Sequence, residues 1–361
     1  MTGPGLPSAR DDIAALSGYF SPQLDVPVRL NTNESPVPPP DEFVEEWCDA
    51  LRTIPLNRYP DRRAGELRAA LADRLGVRAE QVFCGNGSNE VLQSLLLAYG
   101  GAGRRAVTFE PTYALHSHIA TITGTEVVAG KRRADFSVDP DAAATFVEEQ
   151  RPSVIFLCSP NNPTGTLDPP GLVGRLRGAA PGALVVVDEA YGEFAQRSEI
   201  PNVTDDAAVV VVRTYSKVWS LAALRLGFCV APAPVVRNLD AVALPYNLSA
   251  ATQAAGLLAL RHGDEMAERV AILCGERDRL VRTLRDLGSL TVYDSGANFL
   301  LIRPDVDAHS LWERLLGHGV LVRDFTSRPG LDGTLRITVG TPDENDALLA
   351  ALPVAIEEVA A

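Results

Sequence analysis

Lys217 sits in R-T-Y-S-K-V-W-S-L-A-A-L-R-L-G-F, Arg213 to Phe228. A lysine in so apolar a neighbourhood is unusual unless its amine is used. Burial disfavours the ammonium form and lowers the pKa. The neutral amine can then form a Schiff base with a carbonyl. Arg225 follows eight positions later, about two helical turns, which suits a cation aimed at a phosphate on the same ligand. A Schiff-base lysine beside a phosphate-binding arginine points to pyridoxal phosphate. The plain alternative is a lysine snorkelling from a strand end.

Four other polar clusters follow apolar runs. G-N-G-S-N-E, Gly85 to Glu90, links a strand to a helix. Free N–H groups at such a helix start can take a phosphate, though many strand-to-helix turns look similar. P-T-Y, Pro111 to Tyr113, offers a tyrosine that either stacks on a flat ligand or packs in the core. S-P-N-N-P-T-G, Ser159 to Gly165, places two asparagines at a strand end, with an Asn-Pro turn as the alternative. V-V-V-D-E-A-Y, Val185 to Tyr191, ends a buried strand on Asp188. A buried carboxylate there needs a cation. A pyridinium nitrogen supplies one and becomes an electron sink; a helix N-cap is the other reading.

These clusters need strands to carry them. Ala106–Thr108, Val154–Leu157, Leu184–Val187 and Val209–Val212 are near-continuous apolar runs, as in strands buried on both faces of a parallel sheet. Helical patterns such as Glu90–Leu97 lie between them, which gives the α/β class. In such sheets ligands bind at the carboxyl ends of the strands. Residues 1–40 read as an extended, proline-rich arm, 41–240 as a large ligand-binding domain and 241–361 as a smaller α+β domain. In the last part, Met266 to Leu287 recur at helical spacing before Gly288, and T-P-D-E, Thr341 to Glu344, is a capping box.

The chain has 361 residues and a formal net charge of -13, which argues against nucleic acid as a partner. A few arginines can still make a cleft attractive to a small anion. The five cysteines show no metal-ligand or disulfide spacing, so no metal is expected; Cys84, Cys158 and Cys229 read as buried. No leader or membrane span is evident, and a cytoplasmic location is expected.

Together, S-P-N-N-P-T-G, D-E-A-Y and S-K…R-L-G-F, in that order, resemble the fold-type I pyridoxal phosphate enzymes, the class I/II aminotransferases. The resemblance covers nearly the whole chain. It implies a large domain with a mostly parallel central sheet flanked by helices, and a smaller α+β C-terminal domain. It makes Lys217 the lysine that holds pyridoxal 5'-phosphate and shuttles the proton. It pairs Asp188 with the pyridine nitrogen, and Asn162 and Tyr191 with the phenolic oxygen. Tyr113 would stack on the ring. Ser88, Asn89, Ser216 and Arg225 would hold the phosphate. N-R-Y-P-D, Asn57 to Asp61, resembles the segment whose tyrosine, here Tyr59, reaches the partner subunit's cofactor. A homodimer with shared active sites is implied, its arm packing on the small domain and the partner.

Within that group the chain is most similar to the histidinol-phosphate aminotransferase family. P-Q-L-D-V-P-V-R-L-N-T-N-E-S-P, Pro22 to Pro36, preceded by Tyr19, matches its arm; Y-P-D, P-Y-N-L-S, A-N-F and L-R-I-T-V-G-T-P-D-E-N match elsewhere. The resemblance implies that Arg323, Arg336 and Tyr19 bind substrate, and that 2-oxoglutarate accepts the amino group in histidine biosynthesis. Two arginines suit a phosphate better than a carboxylate, because it carries more charge and more acceptors. The alternative for Arg323 is a surface pair with Asp324. There are departures: Ser35 replaces an asparagine, Val218 and Trp219 follow the lysine, and Ala223 replaces a glycine. They leave open an aromatic amino acid or specialised-metabolism aminotransferase, or a threonine-phosphate decarboxylase-like lyase. A ligand sensor fused to a DNA-binding module would need a basic helix-turn-helix extension, which the chain lacks.

Overall fold

A computed structural model of the chain describes residues 7–14, 16, 18, 24–195 and 197–361. Twelve strands are found among them: β1 (Val28–Leu30), β2 (Val82–Asn86), β3 (Arg105–Glu110), β4 (Glu126–Lys131), β5 (Val154–Cys158), β6 (Leu184–Asp188), β7 (Val209–Thr214), β8 (Leu226–Val230), β9 (Leu290–Val292), β10 (Phe299–Pro304), β11 (Val320–Asp324) and β12 (Leu335–Thr338). Seven form one sheet in the order β2-β8-β7-β6-β5-β3-β4. Its strands run parallel except β8, which is antiparallel to both β2 and β7. This is the expected α/β architecture.

The valine-rich strands are buried on both faces. Val186, Val210, Val212 and Cys229 pack with Val91, Leu92 and Leu95 of the helix Ser88–Tyr99. Val185, Val187, Val209 and Val211 face the opposite core with Leu172 and Leu176. Each fully buried valine or leucine contributes about 1.5–3 kcal/mol of transfer free energy. The alternation also fixes register, because a slip of one residue exchanges the two cores.

The antiparallel β8 has a positional consequence. The carboxyl ends of β2, β3, β5, β6 and β7 lie along one edge, and β8 begins at that same edge. Lys217, just after β7, and Arg225, just before β8, are therefore neighbours. The eight-residue interval is not two turns of α-helix, as the spacing had implied. It holds a 3-10 turn, Ala222–Leu224, and Arg225 closes it in the left-handed region at φ 52°.

The second sheet has the order β1-β11-β12-β10-β9. The arm is not wholly extended: Asp11–Ala14 is helical, and β1 pairs in parallel with β11, Val28 opposite Val320. A three-residue strand is too short to show a period, and its partner lies at the far end of the chain. The 24-residue helix Gly263–Asp286 ends before Gly288, at φ +68°. The capping box stands: Glu344 N donates to Thr341 Oγ1 (3.2 Å) and Thr341 N to a Glu344 carboxylate oxygen (2.8 Å). No helix among the described residues is long and apolar enough to cross a membrane.

Gly227 of β8 lies against the start of the helix Ser88–Tyr99. A Cβ there would sit 2.2 Å from Ser88 N and 2.5 Å from the Gly87 carbonyl carbon, both main-chain atoms. Gly227→Ala is expected to lower the unfolding midpoint by an amount equivalent to about 1–3 kcal/mol. Gly178→Ala, in the helix Leu172–Ala179 with open space around its Cβ, should be neutral or stabilising. Thermal unfolding of the two variants checks the contrast.

Candidate active site

A cavity of about 430 Å³ opens at the shared strand edge. Ser88, Asn89, Tyr113, Asn162, Asp188, Tyr191, Ser216, Lys217, Arg225 and Arg336 all line it.

One end of the cavity is an anion cradle. Gly87, at φ 80°, turns the chain from β2 into the helix Ser88–Tyr99. The free N–H groups and positive dipole end of that helix point into the cavity. The Arg225 guanidinium rests on Gly87, where a Cβ would lie 2.7 Å from Nη2. Thr214 Oγ1 donates to Ser216 Oγ (2.9 Å) and accepts from Ser216 N (3.1 Å), which fixes both hydroxyls at the end of β7. Helix end, arginine and hydroxyls together suit a phosphate.

Asp188 is 1% exposed. One of its oxygens accepts from Ala190 N (3.0 Å), and the other meets His116 Nε2 (3.0 Å). The N-cap reading fails, because Tyr191 caps the following 3-10 turn and makes no side-chain cap. His116 is fully buried, stacked on Phe156 (4.8 Å, 9°) and edge-on to Tyr113 (5.4 Å, 88°). The sequence reading missed this histidine. Its partner is 72 residues away, and nothing in A-L-H-S-H-I-A-T-I separates His116 from His118. Tyr113 lies at the cavity wall rather than in the core, its hydroxyl 3.3 Å from Asn89 Oδ1.

Only one of the two asparagines faces the cavity. Asn161 is fully buried and braces the turn, with bonds to Thr112, Pro111 and Thr164. Asn162 accepts from Arg336 Nη1 (2.6 Å) and extends Nδ2 to within 3.5 Å of the Tyr191 hydroxyl. Burial pushes the Tyr191 phenol well above its usual pKa.

Lys217 Nζ donates to the Thr32 carbonyl (3.1 Å) and lies 5.8 Å from the centre of the Tyr191 ring. Its pKa is lowered to about 8. Desolvation is the main cause, the Arg336 charge adds to it, Glu34 opposes, and Arg225 contributes further.

Asn31 to Glu34 also line the cavity; the sequence marks them only as part of the Pro22–Pro36 arm, not as cavity residues. Arg336 Nη2 donates to the Asn31 carbonyl (2.8 Å), and Asn33 Nδ2 to the Tyr191 hydroxyl (3.0 Å). Asn33 is 1% exposed and adopts φ 55°. Thr338 Oγ1 holds both its N–H (3.0 Å) and its Oδ1 (3.1 Å). Such over-determination is what keeps a non-glycine residue in that region.

Two expected residues lie elsewhere, and a third is not among the described residues. Arg323 does not line the cavity; it stands opposite Arg336 in the β11–β12 register, and both guanidiniums approach the Phe325 ring, at 5.8 and 5.4 Å. Asp324 binds His309 Nδ1 (2.8 Å) rather than Arg323, the surface pair that was the alternative reading. Tyr59 is 80% exposed and stacks on Tyr246 (4.4 Å, 11°), outside the cavity of its own chain. Tyr19 lies outside the described residues.

The model of the family "Aminotransferase class I and II" matches residues 26–352. A histidinol-phosphate aminotransferase of Thermobifida fusca is 48% identical over 95% of this chain and 95% of its own. One from Frankia casuarinae is 47% identical, over 96% and 90%. The crystal structure of histidinol-phosphate aminotransferase from Sinorhizobium meliloti, in complex with pyridoxal-5'-phosphate, superposes with a TM-score of 0.90 at 26% identity, covering 99% of this chain and 100% of that one. With a half-buried lysine, a buried acid and an anion cradle at one sheet edge, and relatives matched along nearly its whole length, this chain belongs to the class I and II aminotransferases.

Proposed function

We propose that the chain transfers the amino group of histidinol phosphate to 2-oxoglutarate, using pyridoxal phosphate, as a cytoplasmic homodimer in histidine biosynthesis. The names of relatives 47–48% identical support the substrate. The observation that carries it in the structure is Arg336, whose guanidinium lines the cavity, with Arg323 opposite it in the β11–β12 register.

The residues fit the cofactor. The anion cradle matches its phosphate, and the buried Asp188 carboxylate matches a ring cation. When bound, pyridoxal phosphate supplies an aldehyde that condenses with amines and a cationic ring that accepts electrons. Ser88, Asn89, Ser216 and Arg225 would hold the phosphate, and Tyr113 would cover the ring. Asp188 would bind the ring nitrogen, with His116 and Ala190 N fixing its oxygens. Asn162 and Tyr191 would meet the phenolic oxygen.

Lys217 has two tasks. Its amine is neutral at only mildly alkaline pH, so it is a competent nucleophile toward the cofactor aldehyde. With substrate bound, a free Nζ would stand as the base that takes a proton from the substrate carbon and the acid that gives it back. Asn31 to Glu34 line the site and would help to shield it from water when it is filled. Arg336 and Arg323 would share the substrate's phosphate dianion. In the same reading, residues 1–40 are an arm, 41–240 the cofactor-binding domain and 241–361 the small domain. Tyr59, facing outward with Tyr246, would enter the partner's site.

Four outcomes are expected. Borohydride should fix the cofactor to Lys217, and to no other lysine by peptide mapping. Below pH 8 the lowered pKa leaves most of the amine protonated. The initial rate of capture by apoprotein should therefore rise with pH and level off above about 8. A profile that keeps rising to pH 10 would place the amine in water.

Truncating one partner of a desolvated charge pair costs about 2–5 kcal/mol, roughly thirtyfold to several-thousandfold in kcat/KM. Arg323→Ala and Arg336→Ala should both be that severe with histidinol phosphate. Were the donor an aromatic amino acid, Arg336 alone would pair its carboxylate. Arg323→Ala would then be mild, and wild-type turnover of histidinol phosphate poor.

For the shared site, a Tyr59→Phe variant carrying a second inactivating lesion is mixed with Lys217→Ala. Subunit exchange should restore part of the activity, because one site receives both intact groups. Proven exchange without recovery would show that Tyr59 serves its own subunit.

A further inference from the structure

A second cavity, of about 270 Å³, lies on the other side of the lysine loop. Lys217 lines the first cavity, whereas Val218 and Trp219 line the second, so the loop is the wall between them. Tyr215, Trp219 and Phe228 give it three aromatic surfaces, each at most 7% exposed. Aliphatic residues from the helices Gly65–Leu75 and Gly263–Asp286 complete it.

Three charged groups break this apolar lining. Arg213 is committed to Glu189 (2.8 Å) and stands 4.0 Å from Glu193 Oε1, which leaves Glu193 Oε2 and Arg74 facing the space. Trp219 Nε1 donates to Glu193 Oε1 (3.4 Å), while Glu193 Oε2 is buried with no hydrogen-bond partner among the described residues. A buried oxygen without a hydrogen bond is costly until a donor reaches it. The other facing group is Arg74, whose guanidinium lies over the Trp219 ring, 5.2 Å from its centre. It forms no ion pair among the described residues. Its seat is shaped for it: a Cβ at residue 263 would lie 2.3 Å from Arg74 Nη1, so Gly263 leaves the space. An acceptor inside and a cation at the rim, both against one indole, bracket a flat space.

We propose that this cavity binds a heteroaromatic carboxylic acid, its ring N–H toward Glu193 Oε2 and its carboxylate on Arg74. The size is suitable, since an apolar cavity of about 150 Å³ holds a benzene ring. The larger volume admits a fused bicyclic ring. The ring stacks among Tyr215, Trp219 and Phe228, and the carboxylate replaces water at a guanidinium that the tryptophan face already orients. The ligand touches the loop that carries the reactive lysine without entering the active site.

The test is isothermal titration of the holoenzyme with indole-3-acetate, which has both groups. One site per chain is expected. Arg74→Gln removes the cation, and Ala267→Trp, from an exposed rim position, fills the mouth. Each should weaken binding about tenfold or more. Arg336→Ala should leave it unchanged, since that arginine faces the other cavity. No binding, or binding kept in both rim variants, overturns the proposal. Loss of binding in Arg336→Ala also overturns it, by placing the acid in the active site. The two rim variants lie on different helices, so a folding defect in one leaves the other decisive.

Discussion

Burial on both faces of β5, β6 and β7 is the constraint on which the rest of the molecule depends. A strand with two apolar faces has no place for a polar side chain along its length. Polar residues must collect where the strand leaves the sheet, and in a parallel sheet those points share one edge. Cys158, Asp188 and Thr214 end these strands, and the residues after them form the cavity. The reversal of β8 adds Arg225 to the same edge. Chemistry is thus concentrated by packing before any ligand is involved.

That constraint also explains what was legible. Lys217, Asp188, Asn162 and the Gly85–Glu90 turn each follow an apolar run, so composition alone marks them. The sheet was readable for the same reason. His116 was not, because its role is set by Asp188, a partner distant in sequence, and its own helix does not separate it from His118. Asn31, Thr32 and Asn33 were hidden too: they act largely through main-chain carbonyls and a left-handed backbone angle, which residue types do not announce. The helical interval between Lys217 and Arg225 was a misreading of spacing as period; the tertiary hairpin of β7 and β8 sets that distance. Asn161 and Asn162 show the limit of a motif, since adjacent asparagines divide into one brace and one cavity group.

The electrostatics are local. The chain carries a formal charge of -13, yet Lys217, Arg225 and Arg336 meet in one cavity. Three cations in a desolvated space repel one another, and the lysine yields, because an amine can shed its proton and a guanidinium cannot. The arginines that prepare the site for an anion therefore also help keep the nucleophile neutral. Removing either arginine would alter the lysine as well as the anion's seat.

The main chain over the site has a different significance. Asn31 and Thr32 offer their carbonyl oxygens to Arg336 and Lys217. Neither cation waits bare: each holds an internal stand-in. Ligand entry is then an exchange reaction, in which arriving oxygens compete against peptide oxygens of similar geometry. Affinity becomes a difference between two well-made sets of bonds rather than the strength of one. Such a site discriminates by surplus: a visitor with too few acceptors gains little over the carbonyls it must displace, whereas a dianion outcompetes them. The first segment of the chain is thus a reference ligand, and selectivity is measured against it.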